Sequence, residues 1–193
     1  MAARTRAPRG LHMRRKPLQN GVFPAIRWAS REGKAMSVQC RRAGADDGEA
    51  VADLIEDLQA YHDLPRQSRA EILSDLATMP EGFEVWLAED DARRALGIAL
   101  ACVYPGPGIA AGCYLKELFV TSRARQGGVG RALMQALAAS ALARGAQRID
   151  WVTSWDNEVA RSFYDGLGAQ ANGNKLFYRI DGDALATLAG DAG

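Results

Sequence analysis

The chain has 193 residues, 48% of them hydrophobic and 24% charged, with a formal net charge of +1, which suits one well-formed core and is short for two domains. Its longest apolar run, residues 97–104, falls far below the roughly 18 residues that a membrane-spanning helix needs, so we expect a soluble protein. The three cysteines form no CxxC pair, which argues against a disulfide framework or a zinc site and favours the cytoplasm.

The leader, residues 1–35, differs in charge from the rest of the chain. Nine of the 24 basic residues but one of the 23 acidic residues lie in it, so the leader carries +8 and the remainder −7. Because it lacks hydrophobic periodicity, we expect it to be disordered. A nucleic-acid or membrane arm and an organelle presequence are open readings, but we favour a translation start at Met36. The domain is then predicted over residues 36–182, with a C-terminal tail over 183–193.

The first half of the domain reads as a short strand and two helices, followed by three strands. Asp46 or Asp47 should cap the first helix, which ends near Pro65, and Ser68 with Glu71 forms a capping box for the second. Turn signals at 90–91 and 105–108 separate the strands. In order, the predicted elements are a strand at 38–42, helices from 47 to about 65 and at 68–77, and strands at 83–88, 96–104 and 114–120.

The second half alternates helices and strands. The predicted elements are a helix at 128–144, a strand at 148–153, a helix at 157–166 and a strand at 176–180. Strands joined by tight turns pair antiparallel, whereas the long helix between the strands at 114–120 and 148–153 implies a right-handed parallel crossover. We therefore predict an α/β fold with a mixed, mostly antiparallel sheet, a central parallel pair and helices on both faces.

The segment RQGGVGRALM, residues 125–134, is the main functional signal. Its glycines stand where a strand passes into a helix, and they leave the N–H groups of residues 126–131 uncovered for an anion. Arg123, Arg125 and Arg131 add positive charge nearby. No lysine follows as in a Walker loop, and Leu133 stands where the dinucleotide fingerprint needs its third glycine, so both of those sites are excluded.

Two motifs together resemble the GNAT superfamily of acyl-CoA-dependent N-acyltransferases. They are R-x-x-G-x-G at Arg125, Gly128 and Gly130, and NEVARSFYDGLGA downstream, which contains N-x-x-A-x-x-F-Y. The resemblance covers about residues 38–180. It implies a single GNAT-like domain whose parallel strands splay apart, and it implies that acetyl-CoA is the cosubstrate. The residues that it assigns to coenzyme binding are Phe119, Val120, Arg125, Gln126, Gly127, Gly128, Val129, Gly130, Arg131, Asn157 and Tyr164.

Acetyl transfer to an amine needs an oxyanion donor, a proton for the thiolate and a base. The resemblance places a main-chain N–H near Phe119 or Val120 at the acetyl carbonyl, and Tyr164 at the sulfur, where a phenol with an ordinary pKa of about 10 can donate. Without the motif, Tyr164 would read as a core residue. Glu117 is the candidate base; equally, it reads as a satisfied polar group or salt-bridge partner in alternation with Leu115 and Phe119. We expect His62 to be a surface or packing residue.

The acceptor is less determined by the sequence. YLKELFV, residues 114–120, is similar to the YLEDFFV strand of the polyamine and diamine acetyltransferase branch, but Lys116 replaces its first carboxylate. We expect a small-molecule primary amine, with a protein amine or N-terminus, or a non-catalytic acyl-CoA sensor, as alternatives. No metal, nucleic acid or membrane partner is implied, and a homodimer is expected because strand edges often pair subunits in this family.

Overall fold

A computed structural model describes residues 26–29, 35–62, 65–106 and 110–190. Internal contacts divide the chain into two compact units, with the boundary between Val152 and Thr153. Most of the leader and part of the predicted turn at 105–108 lie outside the described residues.

The first unit is built on a six-stranded sheet with the strand order β1-β2-β3-β4-β5-β6. Neighbouring strands pair antiparallel from β1 to β5, and β6 pairs parallel to β5. The predicted α/β class with a mixed, mostly antiparallel sheet is confirmed. The strands are β1 Ile26–Ala29, β2 Ala35–Arg42, β3 Phe83–Glu89, β4 Ala95–Tyr104, β5 Gly112–Val120 and β6 Ile149–Asp150.

The described residues form five α-helices, three in the first unit and two in the second, and one of the two predicted caps is present. Ser68 and Glu71 form the expected capping box, whereas the Asp47 side chain accepts hydrogen bonds from Arg41 and the Gly44 N–H and does not cap its helix. The helices are α1 Gly48–Tyr61, α2 Arg69–Ala77, α3 Val129–Ala143, α4 Glu158–Asp165 and α5 Gly182–Ala189.

Alternation along β3 and β4 gives the sheet two buried faces. On one face, Ile98 of β4 and Phe119 of β5 join Val51, Leu54 and Leu58 of α1 in a single apolar cluster. Since side chains alternate along a strand, Gly97 lies on the opposite face. A Cβ at Gly97 would lie 3.3 Å from side-chain atoms of both Val129 and Leu133, so α3 covers that face. Helices therefore pack on both faces, as predicted.

A buried polar cluster joins β3 to the end of α3. The Glu84 carboxylate is fully buried, and it accepts hydrogen bonds from the Trp86 indole N–H at 2.9 Å and the Ser140 hydroxyl at 3.1 Å. Arg144, at the C-cap of α3, forms an ion pair with the same carboxylate. A buried carboxylate needs such partners to offset its lost hydration, so this cluster fixes how α3 lies on the sheet.

Several predicted boundaries change. Residues 176–180 form no strand, and the side chains of Leu176 and Tyr178 are largely exposed. The strand predicted at 148–153 is reduced to Ile149–Asp150. The parallel pair consequently lies at the end of the described strand order. The sequence predicted neither β1, within the leader, nor α5, within the presumed tail. Four residues are too few to show a periodic pattern, and β1 is defined by its backbone pairing with β2.

None of the helices that the structure describes is both long and apolar enough to cross a membrane.

Candidate active site

The glycine segment forms a tight turn that leads into α3. Gln126 and Gly128 adopt left-handed conformations with φ of +62° and +77° on either side of Gly127, and Gly128 is the N-cap. The first intrahelical bond joins the Ala132 N–H to the Gly128 carbonyl at 2.9 Å, so the N–H groups of Val129 and Gly130 precede it. Where left-handed residues alternate with right-handed ones, successive N–H groups point into a concave site that can bind an anion. The dipole of the following helix also attracts an anion. The predicted anion cradle fits this geometry.

Of the three arginines expected to add positive charge at the glycine turn, two donate hydrogen bonds to main-chain carbonyls. Arg123 donates from Nη2 to the carbonyl of Ala95 at 2.9 Å. Arg125 donates from Nε to the carbonyl of Val120 at 3.1 Å, and its guanidinium carbon lies 4.1 Å from the centroid of the Tyr61 ring. Arg125 thus connects the glycine turn to the end of α1.

The end of α1 supplies an aromatic group beside β5. The Tyr61 ring lies 6.1 Å from the ring of Phe119 and 4.8 Å from that of His62, which caps α1 and is exposed. Phe119 itself is buried in the α1 cluster. His62 is therefore a surface residue that contacts Tyr61, in line with the sequence prediction, whereas the contact between Tyr61 and Arg125 was not predicted.

Strand β5 contains a one-residue bulge. Leu100 pairs with Glu117 and Ala101 pairs with Leu115, so Lys116 has no partner on β4. The Cys113 N–H donates to Arg148, towards β6, whereas the Thr121 N–H donates to Leu96, towards β4. In a regular strand, the N–H groups of residues an even number of positions apart point to the same edge. Cys113 and Thr121 are such a pair but donate to opposite edges, because the extra residue reverses the alternation.

This reversal decides which of the two candidate main-chain N–H groups, that of Phe119 or that of Val120, points away from β4. Beyond the bulge, odd-numbered residues donate towards β4, so the N–H of Val120, and not that of Phe119, points to the other edge of β5. The carbonyl of Val120 points the same way and accepts from Arg125. The described pairing between β5 and β6 ends at Tyr114 and Asp150. The edge of β5 from Leu115 onwards therefore lies beyond the parallel ladder, at the place where the resemblance implied that the two strands diverge.

The bulge also rearranges side chains. Glu117 pairs with Leu100, which packs on the α1 cluster, so Glu117 lies on the α1 face. Leu115 pairs with Ala101 and lies on the α3 face. Leu115 and Glu117 thus lie on opposite faces of β5, because the extra residue between them interrupts the simple alternation of Leu115, Glu117 and Phe119. The Lys116 ammonium lies 3.5 Å from the Glu117 carboxylate.

The second unit holds the two remaining predicted residues. Asn157 is the N-cap of α4, and its side-chain oxygen accepts a hydrogen bond from the Ala160 N–H at 3.0 Å. Tyr164 lies in the last turn of α4, with its ring 5.2 Å from that of Phe163. The N-x-x-A part of the second motif thus has a local role, because Asn157 starts the helix that carries Tyr164.

The thiols and acidic groups do not suggest other chemistry. All three cysteines are free, and burial raises the pKa of Cys113 to about 11 and that of Cys40 to about 12, which disfavours their nucleophilic thiolates at neutral pH. Within the described ranges, no group of three or more His, Cys, Asp or Glu side chains is placed to hold a metal ion.

A polar cavity of about 520 Å³ lies between α1 and the turn from β3 to β4. Its lining includes Asp53, Glu56 and Asp57 of α1 opposite Arg93 and Arg123, but neither Lys116 nor Glu117. Because it lacks the glycine turn and the bulge, we do not place acetyl transfer there.

The family follows from comparison with known proteins. The model of the acetyltransferase (GNAT) family matches residues 50–169, a stretch that includes the glycine turn, the bulge and α4. The chain belongs to the GNAT family.

Individual relatives agree with this assignment. An L-ornithine N5-acetyltransferase from Arabidopsis thaliana is 32% identical over 77 residues, which make up 40% of this chain and 34% of that protein. The match thus spans about a third of the length of the curated relative. An integron cassette protein of Vibrio cholerae is 30% identical, with a TM-score of 0.70 over 79% of this chain and 97% of that one.

An aminoglycoside N-acetyltransferase in complex with CoA shares the fold. Its TM-score is 0.64 at 21% identity, and the superposition covers 76% of this chain and 97% of that one. The two solved structures thus share the fold over about three quarters of this chain.

Proposed function

We propose that this GNAT protein is an acetyl-CoA-dependent N-acetyltransferase that acts on a primary amine of a small molecule by direct attack. The observation that carries the proposal is the glycine turn at the start of α3, directly beyond a strand whose free edge presents the Val120 N–H. The turn suits the pyrophosphate of coenzyme A, and the strand edge suits its pantetheine arm and acetyl group.

The chemistry needs few groups. The neutral amine attacks the thioester carbonyl carbon, forming the C–N bond, and the Val120 N–H stabilises the oxyanion that develops. Collapse of the tetrahedral intermediate breaks the C–S bond and expels the coenzyme thiolate. Glu117, directly or through water, accepts the proton that the amine loses, and the motif that contains Tyr164 assigns this phenol to protonate the thiolate.

Direct attack is favoured over an acetyl-enzyme on β5 because the Cys113 thiol is a poor nucleophile. Cys113 lies at the start of β5 but is buried, and burial holds its pKa at about 11. Asn157 starts α4, and the resemblance assigns it to pantetheine. The proposal also includes a cytoplasmic location, in line with three free thiols, and a homodimer, which gel filtration with light scattering would test.

The deciding experiment measures thiol release from acetyl-CoA with a panel of small amines, alongside calorimetric titration of coenzyme A. Thiol release that depends on an amine supports the proposal. Binding without turnover on any small amine would favour a protein acceptor, which a peptide panel would then reveal, or an acyl-CoA sensor. Absence of coenzyme binding would reduce the glycine segment to a turn.

A further inference from the structure

The bulge in β5 places two opposite charges where a regular strand would separate them. Neighbouring residues of a strand point to opposite faces, yet the Lys116 ammonium lies 3.5 Å from the Glu117 carboxylate. The Lys116 side chain is 60% exposed and that of Glu117 is 32% exposed. Both charged groups therefore remain accessible to a ligand.

The pair lies beside the predicted reaction site. Glu117 stands two residues before Phe119 on the α1 face of β5, and the Phe119 ring contacts Tyr61 at the end of α1. The Arg125 guanidinium lies over Tyr61 and 6.0 Å from the centroid of Phe119. Lys116 and Glu117 thus form a charged pair on this stretch of β5, and Arg125 adds a cation beside Phe119.

This charge pattern discriminates between classes of amine. A diamine carries two positive charges, and while one ammonium could approach Glu117, the rest of the molecule would meet Lys116 with no negative group to offer. An amino acid carries an amine and a carboxylate together. Its carboxylate matches the Lys116 ammonium, and its amine matches Glu117, which the proposed reaction needs as proton acceptor.

We propose that the acceptor is an amino acid, or another small amine that carries a carboxylate, and that Lys116 is the residue that selects it by binding that carboxylate. This inference rests on the proposed function, whose acceptor class it narrows. Lys116 takes no part in bond making; it orients the acceptor so that its amine faces Glu117.

The test uses pairs of amines that differ only by the carboxylate. Ornithine is compared with putrescine, and lysine with cadaverine, by calorimetric titration into the full-length protein with and without saturating coenzyme A. The unmodified protein should bind each amino acid about tenfold more tightly than its decarboxylated partner, in the range of a charged hydrogen bond. Lys116→Met should remove this preference, and Lys116→Glu should invert it in favour of the diamines.

The matched control is Arg94→Met, which removes an exposed arginine that pairs with Asp90 at the turn between β3 and β4. This change should leave the preference unaltered. Equal affinities within each pair of amines, or a preference that survives Lys116→Met, would overturn the inference.

Thiol release measured with the same four amines separates this inference from the proposed function. Binding that depends on Lys116 but brings no thiol release would retain the selectivity and reject the enzyme. Thiol release with no preference for amines that carry a carboxylate, or with a preference that does not depend on Lys116, would retain the proposed enzyme and reject the selective role of Lys116.

Discussion

The guanidinium of Arg125 lies 4.1 Å from the centroid of the Tyr61 ring, joining the residue that precedes the glycine turn to the last residue of α1. A cation over an aromatic face is stabilised by about 0.5–1 kcal/mol at an exposed site. The Arg125 Nε also holds the Val120 carbonyl. One side chain thereby connects α1, the edge of β5 and the start of the glycine turn.

We predict that Tyr61→Leu weakens coenzyme A binding about threefold to fivefold, because Arg125 loses the ring that orders it. Tyr61→Phe keeps an aromatic face and should bind coenzyme A nearly as well as the unmodified protein. Calorimetric dissociation constants for the two variants provide the measurement. Equal losses in both would mean that the tyrosine hydroxyl, and not the stacking, matters.

At the glycine turn, Gly128→Ala should lower the free energy of unfolding by about 1–2 kcal/mol, because alanine pays a steric penalty at a φ of +77°. Coenzyme A affinity should fall with it, since the N–H groups of the turn lose their alignment. Gln126→Gly is the matched variant, as it places glycine at a φ of +62° now held by glutamine. Urea denaturation should show no comparable loss for Gln126→Gly, and a similar loss in both variants would contradict this account.

In the buried cluster, Arg144→Met should destabilise the protein by about 2 kcal/mol. It leaves the Glu84 carboxylate with fewer partners inside the protein, and the figure is below that of a fully buried pair because the Arg144 side chain is 37% exposed. Arg94→Met breaks a surface pair with Asp90 and should cost less than about 1 kcal/mol. The midpoints of urea unfolding compare the two, and equal costs would refute a special role for Glu84.

Acid should weaken the link between β2 and the start of α1. The hydrogen bonds from Arg41 hold the pKa of Asp47 at about 2, below its ordinary value of 3.8. A depressed pKa means that the ionised carboxylate contributes stability above about pH 4, and that this contribution is lost as the pH falls towards 2. Asp47→Asn should be less stable at pH 7 and should lose less stability between pH 4 and 2.

Unfolding by urea at several pH values measures this difference, with Asp46→Asn as the neighbouring control. Parallel pH profiles for the unmodified protein and Asp47→Asn would show that other groups dominate acid unfolding.

For the chemistry, Tyr164→Phe should lower turnover at saturating substrates about 100-fold while changing coenzyme A affinity less than about twofold, as expected when a proton donor is lost. Tyr178→Phe, the same change at an exposed tyrosine, should leave turnover unaltered. Initial rates of thiol release and calorimetry give the two values. Undiminished turnover in Tyr164→Phe would remove this residue from the mechanism.

The sequence was informative where local rules govern structure. The Ser68 cap, the helix that begins after Gly128, and the α/β order follow from capping, glycine conformation and periodicity, and the structure has all three. The sequence was uninformative where a segment becomes a strand only by pairing with another strand. Residues 176–180 have a strand-like composition but form no strand, and β1 exists through its pairing with β2.

The site divides in the same way. The glycine turn could be predicted because glycines between a strand and a helix indicate a tight turn. The bulge at Lys116 could not, because only the pairing of Leu100 with Glu117 and of Ala101 with Leu115 reveals it. The partnership of Tyr61 with Arg125 joins positions 64 residues apart in the chain, and no pattern in one sequence reports such a contact.

The unpaired residue in β5 also limits how this strand can be transplanted or aligned. Counting back from Phe119 in steps of two stays on the α1 face only as far as Glu117; the next step reaches Leu115, which lies on the α3 face. Deletion of Lys116 would remove the bulge and leave Leu115 next to Glu117 on opposite faces, as they are now, so the upstream side chains of β5 would keep their faces. The faces of side chains on the two sides of Lys116 therefore have to be counted separately.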